Sequence, residues 1–188
     1  MPRLILEPTS QAQWQTLVHE AQSACDRELD ETLESYLVFL LMRFSDKPHC
    51  VSRIMASDYL SSQVLSGEQR VERLRDVGDH CLLFPGLFPQ IAERRLVRIS
   101  YFVNLGRSSY QQLSDLLDRS WSSVYGHLSE AFVVLMDILQ AMRGLDGRPV
   151  LTPIQAMDLW SDTGSRRCYE QVTADGRVTP LAGDPEKH

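Results

Sequence analysis

Long apolar runs are missing from this chain. No stretch approaches the roughly 18 consecutive apolar residues that a membrane-crossing helix requires, so membrane insertion is not expected. Lysine is nearly missing too: only Lys47 and Lys187 stand among 19 basic residues. So strong a preference for arginine reads as genome composition and carries no functional weight. There is no Cys-x-x-Cys pair, no Gly-x-x-x-x-Gly-Lys, no Gly-x-Gly-x-x-Gly and no His-Glu-x-x-His. The usual signals of structural zinc, phosphate-loop, dinucleotide and zinc-protease chemistry are therefore missing. Ten glycines and nine prolines in 188 residues exclude a collagen-like or wholly disordered chain, and neither an internal repeat nor a low-complexity tract is found.

What remains is enough for one ordinary globular domain, with 43% hydrophobic and 23% charged residues. The net charge is -6, and residues 1–40, with two arginines against seven acids, supply -5 of it. A nucleic-acid binder ordinarily presents a basic field, so nucleic acid is not an expected partner. The N-terminus carries Leu4-Ile5-Leu6, too short for the apolar core of a secretion signal. The expectation is a cytoplasmic protein whose four cysteines, Cys25, Cys50, Cys81 and Cys168, are reduced.

Apolar residues recur at three- and four-residue steps almost everywhere, which is helical periodicity. Thr9-Ser10 caps a first helix with Trp14, Leu17, Val18, Ala21 and Cys25 inward. A second begins near Asp30, turns Leu33, Tyr36, Leu37, Leu40, Leu41 and Phe44 to the core, and ends at Lys47-Pro48. A weaker third covers residues 52–65. Residues 68–77 form a charged amphipathic helix that Gly78-Asp79 interrupts or kinks, and Pro85, Gly86 and Pro89 limit the next apolar run to a short buried helix and a turn. Residues 100–117 are helical, with Tyr101, Phe102, Leu105, Ser109, Leu113, Leu116 and Leu117 inward and Gly106 marking a close helix approach. Ser120 caps the clearest helix, read as one element to Met142 and stopped by Gly144. Thr152-Pro153 opens a helix closed by Gly164. From Ser165 the pattern dissolves, and Asp175-Gly176 between β-branched residues suggests a hairpin. The expected fold is an all-α bundle of six to seven helices over residues 1–164, with an irregular, docked or mobile tail over 165–188.

Candidate chemistry is sparse. His49-Cys50 and His80-Cys81 hold the ligand types of a Cys2His2 zinc site, but adjacent residues point in diverging directions and the usual gaps are lacking. Neither a metal nor a cofactor is expected. Asp30, Glu31 and Glu34 lie at a helix N-terminus, where negative charge is stabilising, and no Glu-x-x-His motif makes them a di-iron site. Gly106-Arg107-Ser108-Ser109-Tyr110 resembles a nucleophile elbow only in outline, because the second glycine and the preceding strand are missing. No catalytic residue is assigned. Arg94, Arg95 and Arg98 form a basic cluster suited to a phosphate or to an acidic helix of a partner. Asp79, His80, Cys81, Phe84, Tyr101 and Tyr110 are the candidate ligand-binding residues, since polar groups beside so apolar a run are how a small pocket begins. An ordinary buried turn pairing its polar groups has the same composition.

The stretch Gly78-Asp79 through Phe84-Pro85-Gly86-Leu87-Phe88, with Tyr101-Phe102 and Gly106-Arg107-Ser108-Ser109-Tyr110, resembles the central part of an uncharacterised family of bacterial helical proteins. There a Gly-Asp, an aromatic-Gly-Phe turn, an aromatic pair and a Gly-x-x-Ala-Tyr element recur. Here Tyr101-Phe102 stands for the pair and Ser109-Tyr110 for Ala-Tyr, and the resemblance covers about residues 76–113. It implies a bacterial, cytoplasmic origin and carries no activity with it. The functional expectation is a non-enzymatic regulatory or adaptor protein acting through helix-mediated contacts with another protein or with itself, a homodimer being one form. The rivals are a small-ligand or cofactor binder, an enzyme among its forms, with its pocket near residues 78–89, and a DNA-binding regulator using Arg70, Arg73, Arg94, Arg95 and Arg98.

Overall fold

The apolar stripes fold as helices throughout a computed structural model that describes residues 9–46, 55–90 and 97–174. Among these residues there is no strand and there are nine α-helices, more than the six or seven expected. They are α1 (Ser10–Ala24), α2 (Glu31–Asp46), α3 (Met55–Val64), α4 (Gly67–Leu87), α5 (Ile99–Leu116), α6 (Arg119–Glu130), α7 (Phe132–Arg143), α8 (Pro153–Thr163) and α9 (Arg166–Ala174). α4 is the hub. It packs along α5 and against α7 and α3, while α1 joins α2 to α7, and α8 pairs with α9.

Local signals at helix ends are realised where a side chain can supply the hydrogen bond. Thr9 Oγ1 accepts from Ala12 N at 3.3 Å. Thr152 and Gln155 form a reciprocal capping box around Pro153, and Gly164 closes α8 with φ of 72°. At α6 the N-cap is Asp118, two residues before the expected Ser120.

Several boundaries differ from those expected, each for a physical reason. Gly78-Asp79 does not break α4, and neither does Pro85. The proline lies in the last turn, where it removes a single backbone bond, and its own carbonyl, an orphan of the helix end, accepts from the buried Gln140 Nε2 at 2.9 Å. The element expected from Ser120 to Met142 is two helices that bend at Ala131, where φ is -83° and ψ is 5°. The inward stripe of α5 is rotated by about one residue from the expected one. Phe102, Ser109 and Leu113 are buried as expected, but Val103, Gly106 and Tyr110 join them, whereas Tyr101 and Leu116 are exposed. The irregular tail expected from Ser165 is helical as far as Ala174. Ser165 Oγ caps it by accepting from Cys168 N at 3.1 Å, and Cys168 and Val172, four apart, bury one face. Most of the expected hairpin, and the remainder of the tail, lies outside the described residues.

Gly106 is where α4, α5 and α7 meet most closely. A Cβ there would sit 2.4 Å from the Phe132 ring and 2.9 Å from Cys81 Cβ, so only glycine allows the approach. Gly78 does the same for Tyr110, whose ring would lie 2.4 Å from an added Cβ. These two close contacts set the spacing of the helices around Asp79.

Candidate functional site

Asp79 is a carboxylate 2% exposed in the middle of α4. Burying such a group is costly unless every lone pair finds a donor. Three side chains on two neighbouring helices supply donors. Tyr36 on α2 donates its hydroxyl to Oδ1 at 2.6 Å, and Tyr110 on α5 donates to the same oxygen at 2.8 Å. Arg43, two turns beyond Tyr36 on the same face of α2, places Nη2 on Oδ2 in an ion pair. One carboxylate thus ties α2, α4 and α5 together.

An aromatic layer surrounds the cluster. The Tyr36 ring meets the Tyr110 ring edge-on at 6.3 Å and the Tyr125 ring of α6 at 6.1 Å. Tyr110 also packs at 5.8 Å on Phe132. Trp121, one turn before Tyr125, lies 6.3 Å from it and extends the layer to the surface.

Burial dominates the electrostatics. It raises the Asp79 carboxyl above the ordinary aspartate range, and Arg43 and the two hydroxyls pull it part of the way back. Burial and then the Asp79 charge hold the Tyr36 and Tyr110 hydroxyls well above their usual value, so both remain protonated donors. In this arrangement both carboxylate oxygens accept, and two of the three donors are hydroxyls of packed rings. Those are the properties of a clamp that orients helices.

The candidate ligand-binding residues therefore divide. Asp79 and Tyr110 come together in one hydrogen bond. His80 turns aside along α4, with Nδ1 2.5 Å from Asp76 O and its ring 6.2 Å from that of Phe84. Cys81 is buried against the Gly106 approach, and burial raises its thiol. Phe84 packs edge-on against Phe102 at 5.7 Å, and Tyr101 lies on the outside of α5, 41% exposed. Of the basic cluster, Arg98 pairs with Asp162 at 3.5 Å from an exposed position, whereas Arg94 and Arg95 lie outside the described residues. Arg70 and Arg73 bond Gln112 and Asp58. His49-Cys50 is also outside the described residues, and among the described ones no group of three or more His, Cys, Asp or Glu could hold a metal. Nor, among them, is any helix long and apolar enough to cross a membrane.

Sequence reasoning singles out none of Tyr36, Arg43, Tyr125 and Trp121 as site residues. The trace in the sequence is Arg43, a charge two turns from Tyr36 at the edge of an apolar helix, for which an acid across the helix contact is a natural partner. A second buried acid is missed as well. Asp137 on α7, 2% exposed, accepts from Ser165 Oγ at 2.6 Å and from Arg167 N at 3.5 Å, fixing the start of α9.

These features define an all-helical protein whose centre is a tyrosine-ringed aspartate beneath a surface aromatic layer. Comparisons of the chain with protein-family models, with curated proteins and with solved structures gave no match.

Proposed function

We propose that this is a non-enzymatic binding protein, a bacterial, cytoplasmic regulatory or adaptor module that works by helix-mediated contact with another protein. The occupant of the surface is an amphipathic helix of the partner. The observation that carries the reading is the aromatic face built on the Asp79 clamp. Trp121 is 58% exposed and Phe39 57%, large apolar side chains left in water on α6 and α2. Trp121 leans on Tyr125 and so rests on the tyrosine layer, and Phe39 lies one helical turn from both Tyr36 and Arg43 on α2. The Arg43 side chain, 47% exposed beside them, offers its outer guanidinium edge to a carboxylate flanking the partner's apolar stripe.

Residue type decides between this face and the exposed Leu60 and Val64 of α3. Trp, Tyr and Arg are the anchors of protein interfaces, whereas Leu and Val are under-represented among them. Anchors already held by a packed layer lose little side-chain entropy on binding.

The test compares the wild-type chain with a Trp121→Ala/Phe39→Ala variant of unchanged circular dichroism, as baits in a lysate of the natural host. At least one protein retained by the wild type is lost from the variant, consistent with about 2 kcal/mol or more for a tryptophan anchor. Identical retained sets, together with a strict monomer by light scattering, overturn the reading. Dimerisation abolished by the two substitutions makes the occupant a second copy of this chain.

A further inference from the structure

A separate site is formed by the loop between α7 and α8 and the outer side of α9. We propose that this cleft binds an amphipathic organic anion, its head on the guanidinium of Arg167 and its apolar body on Val150, Leu151 and Ala174. The cleft has a volume of about 810 Å³ and all four residues line it. That size is in the range of small-molecule sites, which are mostly apolar with a few placed polar groups.

Arg167 is the reason for the anion. Its backbone N–H serves the buried Asp137, but among the described residues its half-buried guanidinium makes no hydrogen bond and no ion pair. A guanidinium has five donors and no acceptor, so what it lacks is an anionic or carbonyl oxygen. The acids nearby are already engaged. Glu170, on the rim, is taken by Arg166 at 2.8 Å, while Asp137, bonded by Ser165 Oγ, feels the Arg167 charge without forming an ion pair with it. One side of the Arg167 head abuts the backbone at Gly144. It lies so close to Gly144 that an added Cβ there would be 3.0 Å from Nη2. The wall is fixed, because Gln171 Nε2 donates to Leu151 O at 3.0 Å. A preformed, apolar-floored cleft with one uncommitted guanidinium selects a molecule with a single anionic head, either a carboxylate or a phosphate monoester.

The test is calorimetric titration of the full chain with sodium octanoate, octyl phosphate and 1-octanol. At least one of the anions binds about tenfold or more tightly than octanol, the value of a charge-assisted bond, and the tighter of the two identifies the head. Arg167→Gln removes that preference while keeping the backbone bond to Asp137, and Gly144→Ala weakens it by displacing the guanidinium. Arg167→Lys, which keeps the charge without the fork, retains part of the preference and stands in should the glutamine variant not fold. The Trp121→Ala/Phe39→Ala variant binds as the wild type does, which separates this site from the aromatic face. Absence of binding, equal affinity for octanol and both anions, or full anion preference in the Arg167 variants overturns the proposal.

Discussion

At Asp79 two opposing effects meet, and their balance is measurable. Burial favours the protonated acid, while Arg43 and the hydroxyls of Tyr36 and Tyr110 favour the carboxylate, and burial is the larger effect. The folded protein then holds this proton to a higher pH than the unfolded chain, whose aspartates titrate near 3.8. Stability contributed by the protonation is full below that value and is lost as pH rises through the folded-state value. Urea titrations of the wild type and Asp79→Asn between about pH 4 and 7 therefore give a wild-type advantage that shrinks as pH rises. An advantage that grows with pH would mean that Arg43 and the two tyrosines outweigh desolvation. Asp79→Ala, which orphans two buried hydroxyls and an arginine, costs about 3 kcal/mol in the same assay. That is the lower end for breaking a buried pair, since the half-exposed Arg43 can turn to water. From the sequence, Asp79 and Tyr110 stand out as polar groups next to an apolar run. Their partners do not, because Tyr36 lies 43 residues from Asp79 and only the assembled bundle brings the two side chains together.

At the scale of the element, helix type was legible almost everywhere, and the ends were legible where a side chain makes the bond. Thr9, Thr152 with Gln155, and Gly164 act as their types suggest. Residues read as breakers are tolerated where the fold compensates. Pro85 sits in the last turn, where Gln140 takes up its orphan carbonyl, and Asp79 is stabilised within α4 by its neighbours. Conversely, α9 was hidden because its cap, Ser165, works with a partner on α7, Asp137. Gly106 marks the inverse case, a glycine whose helical cost is repaid by a close approach. Gly106→Ala gains about 1 kcal/mol of helix propensity but drives a methyl into the fully buried Phe132 ring. The expected net is a loss of about 1–3 kcal/mol, read as a lower urea midpoint at unchanged slope. A neutral or stabilised variant would show that α5 and α7 can separate freely.

For the whole molecule, the hub position of α4 links the buried cluster to the surface. α2 and α6 bear Phe39 and Trp121; Trp121 is positioned by rings that end at Asp79, and Phe39 stands one turn from Tyr36, a member of that layer. No sequence pattern could reveal such a face, since Phe39 and Trp121 look like core residues of amphipathic helices and only the assembled bundle leaves them outside. The most direct measurement is hydroxyl-radical footprinting of the full chain alone and with the protein it retains from host lysate. Oxidation of Trp121 and Phe39 should fall on binding while that of Ile154 and Leu60 stays unchanged. Equal oxidation of Trp121 and Phe39 in both states, or protection at Ile154 in their place, would contradict the account.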